Sequence, residues 1–153
     1  MQTLTRTTSE NPDFQLLIIE LDRLLKITDG DDHDFYSQYN HTEDIKNVVI
    51  YYDDQKAVGC GSFKMYEENV AEIKRMYVLP AYRGKKIALK ILNELEDWVK
   101  ELNYKKCILE TGIKLQSAIA LYLKSGYKIT DNYGQYEDAE NSICMKKIFE
   151  VSI

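Results

Sequence analysis

A strand, a long amphipathic helix and a second strand follow one another in the middle of the chain. Residues 71–78 (AEIKRMYV) and 105–111 (KKCILET) are apolar runs of strand length. The helix between them begins at Ile87, and its apolar side chains recur at helical spacing: Ile91, Leu92, Leu95, Trp98, Val99 and Leu102. Strands joined by a helix run parallel in one sheet, and an almost wholly apolar strand is typical of a sheet interior. The segment therefore predicts an α/β fold.

The remaining sequence predicts more strands and helices around this unit. Five further runs rich in β-branched and aromatic residues read as strands: 2–7, 47–53, 57–66, 127–130 and 143–149. One helix should begin after Asn11, with Pro12 as its first residue, and end before Gly30. Another should cover residues 116–125 and stop at Gly126. We expect a mixed α/β (α+β) domain.

Length and charge exclude several classes of protein. A chain of 153 residues with 44% apolar content can bury one full core, so we expect a single domain over residues 1–153. Its net charge of -5 disfavours a nucleic-acid-binding role, because such domains are usually basic. The sequence has no secretory signal at its start and no run of about 18 apolar residues. We therefore expect a cytoplasmic protein without nucleic-acid or membrane partners.

The cysteines and the acidic segment do not indicate a metal site. Cys60, Cys107 and Cys144 are widely spaced and lie in apolar or strand-like runs, which favours buried thiols. Residues 29–45 are rich in acidic and aromatic side chains but lack the ligand spacing of a calcium loop. We expect a solvated loop there, with a short helix around residues 35–39, and no bound metal.

Three basic residues surround a glycine where the central helix begins. In residues 82–89 (YRGKKIAL), the side chains of Arg83, Lys85 and Lys86 flank Gly84. A helix N-terminus offers unpaired backbone amides and a positive dipole end, both of which favour phosphate. The alternative is an exposed helix start without a ligand. The sequence contains neither GxxxxGK[ST] nor GxGxxG, which excludes the two best-known phosphate loops.

The order of these motifs resembles the GCN5-related N-acetyltransferases, the GNAT family. The resemblance covers roughly residues 47–149 and includes the late segment IALYLKSGY, residues 119–127. The family's coenzyme A signature is Gln or Arg, two residues, Gly, one residue, then Gly or Ala. It aligns with Arg83 through Ala88, so that Lys86 stands where the family has its central glycine. We expect Lys86 to have the negative φ of a helix start, with its side chain turned outward.

The resemblance implies a splayed mixed sheet of about six or seven strands with helices on both faces. It also implies acetyl-CoA as cosubstrate, without a metal. The backbone of Met76, Tyr77 and Val78 would hydrogen-bond the pantetheine arm. The pyrophosphate would lie at the basic corner, which consists of Arg83, Gly84, Lys85, Lys86, Ile87 and Ala88.

Two residues match the family's catalytic positions. Tyr122 corresponds to the tyrosine that often protonates the coenzyme A thiolate, and Glu72 to a strand glutamate that removes the amine's proton through water. Either side chain has another interpretation: Tyr122 as a packed helix residue, and Glu72 as a solvated partner of Lys74. Glu110, at the end of its strand, is a second carboxylate for which structural hydrogen bonding is the favoured role.

Five aromatic residues are candidates for binding the acceptor, or else anchors of their own loops: Phe35, Tyr36, Tyr39, Tyr133 and Tyr136. The implied function is transfer of an acetyl group from acetyl-CoA to a primary amine of a small molecule, amino acid or peptide by direct attack. The alternative is a non-catalytic coenzyme A-binding regulatory module, which the lysine at position 86 motivates. A homodimer is compatible with the sequence, which does not identify the acceptor.

Overall fold

The computed structural model describes residues 1–32 and 45–149. Its strands are β1 Gln2–Thr7, β2 Asn47–Asp53, β3 Lys56–Glu67, β4 Val70–Val78, β5 Lys106–Gly112, β6 Lys128–Thr130 and β7 Ser142–Ile148. Its α-helices are α1 Pro12–Asp29, α2 Ile87–Glu101 and α3 Gln116–Lys124. Each was predicted from the sequence to within one residue at either end. The short helix expected at residues 35–39 lies outside the described residues.

The seven strands form one mixed sheet in the order β1-β2-β3-β4-β5-β7-β6. Neighbouring strands are antiparallel except for β4 and β5, which run parallel as the strand–helix–strand order predicts. Their pairing covers only three positions, from Val70 opposite Lys106 to Glu72 opposite Ile108. Beyond these positions the two strands separate, although β4 continues to Val78 and β5 to Gly112. The predicted splayed sheet is therefore confirmed.

Helices cover both faces of the sheet, also as predicted. On one face, the apolar stripe of α2 packs on residues of β2 to β5 in a buried cluster that includes Val49, Phe63, Ile73, Ile91 and Leu95. On the other face, α1 buries its own stripe in a second cluster that includes Phe14, Leu17, Val48, Ile50 and Tyr77. Cys60, Cys107 and Cys144 are free and buried, which confirms their interpretation as core thiols.

Two glycines of β3 let α2 lie close to the sheet. A Cβ atom added at Gly61 would lie 2.4 Å from Met76 Sδ, 2.8 Å from Ile91 Cγ2 and 2.9 Å from Leu95 Cδ1. At Gly59 the same atom would lie 3.0 Å from Ile91 Cδ1. Because α2 fits into the space that these missing side chains leave, its N-terminus is held beside the end of β4.

No helix in residues 1–32 or 45–149 is both long enough and apolar enough to cross a membrane.

Candidate active site

A cleft of about 980 Å³ opens where β4 and β5 separate. Its walls are the second half of β4, the end of β5, the first turn of α2, one side of α3 and the last turns of α1. One edge of β4 is paired with β3 except at Arg75 and Met76, whereas its other edge has no strand partner from Ile73 to Val78 among the described residues. This edge therefore presents backbone groups that an extended ligand can pair with, as another strand would.

The first turn of α2 lies at the mouth of this cleft. The first intrahelical bond runs from the Lys90 amide to the Lys86 carbonyl at 3.1 Å, so the amides before Lys90 have no partner within the helix. Gly84 has a φ of +81°, and a Cβ atom added there would meet open space. Unpaired amides beside an open glycine fit the pyrophosphate of a nucleotide.

Two basic side chains of this corner contact neighbouring groups of the protein. Arg83 Nε donates to the Val78 carbonyl at 3.0 Å, and its guanidinium lies 5.6 Å from the centre of the Tyr77 ring. Lys85 Nζ lies 5.2 Å from the centre of the Tyr82 ring. Arg83 thus connects the basic corner to the open edge of β4.

The expectation of a negative φ at Lys86 was wrong. Lys86 is the N-cap of α2 and has a φ of +64° and a ψ of 21°, in the left-handed region. The chain needs this conformation to turn from the corner into the helix, and glycine adopts it without the penalty that a Cβ atom imposes. The Lys86 side chain is exposed, so it is not held by the packing of the corner.

Glu72 lies buried on β4 between two polar side chains. Its Oε2 accepts a hydrogen bond from the Tyr133 hydroxyl at 2.6 Å, and its Oε1 lies 3.7 Å from Lys74 Nζ. Burial, together with the neighbouring Glu72 carboxylate, raises the pKa of Tyr133. Burial lowers the pKa of Lys74, and Glu72 partly opposes this change. Glu72 is thus a partner of Lys74, but a buried one that also lines the cleft.

A second carboxylate in the cleft, Glu110 of β5, accepts a hydrogen bond from Ser142 Oγ at 2.7 Å. Burial raises the pKa of Glu110 to about 7, against the opposing effects of Ser142 and Lys74. A carboxyl group with a pKa near neutrality can take up and release a proton under ordinary conditions. In the sequence, the signal for this group is an acidic residue near the end of an otherwise apolar strand, a pattern that favours structural hydrogen bonding.

Tyr122 of α3 belongs both to the core and to the wall of the cleft. Its ring packs edge-to-face on Tyr127, with 5.7 Å between the ring centres. Burial raises the pKa of Tyr122, and the nearby Glu110 adds to the increase. The hydroxyl consequently keeps its proton throughout the neutral range. Both interpretations of Tyr122, as a packed residue and as a proton donor, are compatible with this position.

Of the five predicted acceptor residues, two are described. Tyr133 and Tyr136 pack edge-to-face with 5.8 Å between ring centres, and Tyr136 lines the cleft. Phe35, Tyr36 and Tyr39 lie outside the described residues. Among the side chains that the structure describes, no group of three His, Cys, Asp or Glu residues is placed to hold a metal ion. Sequence reasoning missed Lys74 and Arg75 as members of the site, although both are buried and line the cleft.

Comparisons with known proteins agree with this architecture. Residues 15–127 match the family described as "Acetyltransferase (GNAT) family". An IAA acetyltransferase of Azospirillum brasilense is 32% identical over 140 residues, which span 86% of this chain and 87% of the relative.

Solved structures show the same fold. A Klebsiella pneumoniae protein described as an acyl-CoA N-acyltransferase superimposes with a TM-score of 0.80 at 28% identity, over 97% of either chain. The PaiA N-acetyltransferase of Thermoplasma acidophilum, solved with coenzyme A, gives a TM-score of 0.72 at 22% identity, over 97% of this chain and 99% of that one. The chain belongs to the GNAT acetyltransferase family and is an acetyl-CoA-dependent acyltransferase.

Proposed function

We propose that this protein transfers the acetyl group of acetyl-CoA to a primary amine of a small molecule, amino acid or peptide by direct attack. The observation that carries the proposal is the split between β4 and β5. It joins an open strand edge, a helix start with unpaired amides, the buried carboxylate of Glu72 and the half-buried one of Glu110 in one cleft of about 980 Å³. Acetyl-CoA would bind from the side of α2, and the amine would approach the thioester from the side of α1.

The basic corner and β4 would hold acetyl-CoA. The amides at the start of α2 would bind the pyrophosphate, and the exposed charges of Lys85 and Lys86 would add to the attraction. Backbone groups of β4 from Met76 to Val78 would pair with the pantetheine arm. Arg83 donates to the carbonyl of Val78 in this structure, so it would also set which backbone groups remain open to that arm.

Two carboxylates are placed to take the proton that the attacking ammonium must lose. Glu72 is fixed by Tyr133 and Lys74, whereas Glu110 has a pKa near 7 and needs no further adjustment to act as a base at neutral pH. We infer that Glu72 orients the ammonium and that Glu110 or an intervening water accepts the proton. Both groups line the same cleft.

Tyr122 is the candidate acid for the departing thiolate. Its raised pKa keeps the hydroxyl protonated at neutral pH, so that a proton is available where negative charge develops on the sulfur. Tyr122 lines the cleft in which the thioester would lie.

A thiol-release assay with acetyl-CoA and a broad panel of amines tests the function. We expect release that depends on both the amine and acetyl-CoA, with stoichiometric formation of the acetylated amine. The alternative of a non-catalytic coenzyme A-binding module is favoured by one observation, the strained left-handed lysine where the family has glycine. Calorimetric binding of acetyl-CoA without thiol release from any amine would select that alternative.

A further inference from the structure

Arg75 of β4 occupies an unusual backbone conformation in the middle of a strand. Its φ is +61°, which side chains with a Cβ atom rarely adopt. The pairing of β3 with β4 shifts by one residue beside it, between Cys60 opposite Tyr77 and Ser62 opposite Lys74. Such a bulge redirects the side chains that follow it. As a result, Ile73 and Met76 pack toward α2, whereas Arg75 contacts Asp22 on α1.

The Arg75 guanidinium is buried, and only some of its hydrogen-bond donors have partners among the described residues. Its side chain is 2% exposed, and its Nη2 donates to Asp22 Oδ1. Its Nε and Nη1 atoms are buried and have no hydrogen-bond partner in residues 1–32 or 45–149. An unpaired buried donor is costly, and the cost is greater for a charged group. The ion pair with Asp22 offsets little of this cost, because the Asp22 side chain is 53% exposed and water weakens the pairing.

A second buried cation adjoins Arg75 in the same wall of the cleft. The Lys74 side chain is 7% exposed, and its ion pair with Glu72 is a long one, at 3.7 Å. Lys74 and Arg75 are adjacent on β4, and the charge of Arg75 contributes to the lowered pKa of Lys74. Both line the cleft together with Glu72 and Glu110. The acceptor side of the cleft therefore contains free donors and positive charge as well as carboxylates.

We propose that the acceptor amine carries a carboxylate, which binds the free Nε and Nη1 donors of Arg75 with Lys74 as a second positive charge. This proposal rests on the proposed function and names the acceptor class as amino acids or similar zwitterions. Carboxylates match guanidinium donors well, and hydrogen bonds between charged partners are the strong ones.

The neighbouring carboxylates explain why an amine must accompany the anion. Asp29, Glu72 and Glu110 line the cleft, and Asp22 contacts Arg75 from α1. These carboxylates would repel an anion without a compensating charge. In a zwitterion the ammonium group faces Glu72 and Glu110 while the carboxylate faces Arg75. This orientation also directs the amine toward the groups proposed to deprotonate it.

Matched acceptors test the proposal: common α-amino acids against their carboxamides, which keep the amine and lose the anion. We expect kcat/KM to favour the best acid over its amide by about 10- to 100-fold, the range of one or two charged hydrogen bonds. Arg75→Met keeps the length of the side chain and removes its donors, so the ratio of kcat/KM for the acid to kcat/KM for the amide should fall to near one, whatever the absolute activity of the variant. Equal use of acids and amides by the unchanged protein would overturn the proposal.

Two further measurements separate this role from a structural one. Asp22→Asn weakens the ion pair but keeps Arg75, so a purely structural arginine predicts lower thermal stability without any change in acceptor preference. The proposal predicts that the preference for acids increases, because loss of the Asp22 charge frees Nη2 of Arg75 and removes a carboxylate that repels an anion. An unchanged or reduced preference in Asp22→Asn would contradict it.

Calorimetric titration of the coenzyme A-saturated protein with the same acids and amides measures binding without turnover. Tighter binding of an acid, lost in Arg75→Met, supports the carboxylate site even if no amine is acetylated, in which case only the proposed function fails. If no acid binds more tightly than its amide, the carboxylate site is excluded whatever the assay of turnover shows.

Discussion

At the scale of single residues, Lys86 has a backbone conformation that residues with a Cβ atom disfavour. A left-handed residue with a Cβ atom is less stable by about 1–2 kcal/mol than the same residue in a right-handed turn. The chain nevertheless has lysine at this position, with a φ of +64°. A residue kept in a strained conformation at a binding site suggests that the side chain contributes to the site.

Replacing Lys86 by glycine separates backbone strain from charge. Lys86→Gly should raise the free energy of unfolding by up to about 1 kcal/mol, because relief of strain exceeds the extra flexibility of the unfolded chain. Chemical denaturation measures this change, and calorimetry with acetyl-CoA measures binding. Binding should be equal or tighter if the side chain points away from the phosphates, whereas weaker binding would make Lys86 a phosphate ligand.

Lys85→Gly is the matched control for that variant. It removes the same charge from the adjacent residue, which is not among those with a positive φ. Its unfolding free energy should therefore fall, by roughly 0.5 kcal/mol, because glycine only adds flexibility. A gain in stability in both variants would mean that charge repulsion, not backbone strain, limits the stability of the corner.

The proposed acid, Tyr122, gives a second prediction at this scale. Tyr122→Phe keeps the ring that packs on Tyr127 and removes only the hydroxyl. Turnover should fall by roughly 10²-fold or more, the contribution expected of a general acid, while affinity for acetyl-CoA and thermal stability are retained. If a normally folded Phe variant has wild-type turnover, Tyr122 contributes to packing and not to catalysis.

At the scale of elements, the position of α2 depends on a glycine in β3. In Gly61→Ala the new methyl group would lie within 3.0 Å of Met76, Ile91 and Leu95, so α2 must move away from the sheet. Overpacking of this kind costs about 1–3 kcal/mol. Because the start of α2 holds the proposed phosphate site, acetyl-CoA binding should weaken as well.

Gly112→Ala provides the comparison for that variant. Its added methyl group would lie 3.7 Å from Leu115, an ordinary contact distance. We expect almost unchanged stability, measured by thermal denaturation. If Gly61→Ala loses stability but binds acetyl-CoA normally, the position of α2 does not determine the phosphate site.

The elements themselves could be predicted from the sequence, because hydrophobic periodicity and terminal residues are local signals. Asn11 and Pro12 mark the start of α1, and the alternation of strand and helix gives the parallel pair of β4 and β5. The bulge at Arg75 and the turn at Lys86 could not, since tertiary contacts impose a positive φ on residues that disfavour it. The contact between Glu72 and Tyr133 joins residues 61 positions apart, a separation that no local pattern encodes.

At the scale of the whole molecule, the buried charges of the cleft couple stability to pH. Burial raises the pKa of Glu110 from 4.5 to about 7, so the folded protein binds a proton more tightly there than the unfolded chain. A raised carboxyl pKa leaves stability unaffected below about 4.5, lowers it progressively as the pH rises to about 7, and keeps the full penalty above that.

Glu110→Gln should remove this dependence, because glutamine does not titrate and keeps an acceptor oxygen for Ser142. The free energy of unfolding of the variant, relative to wild type, should therefore increase between pH 4.5 and 7, by on the order of 3 kcal/mol, and then stay level.

If Glu110 is also the base, wild-type kcat/KM will rise with pH to a plateau with a midpoint near 7, and the Gln variant will lose both this limb and most of its activity. Denaturation curves and pH–rate profiles of the two proteins give both readouts. A stability difference that does not vary with pH would show that Glu110 has an ordinary pKa. If the Gln variant keeps the acidic limb of the pH–rate profile, another group is the base. Glu72→Gln is then the first variant to test.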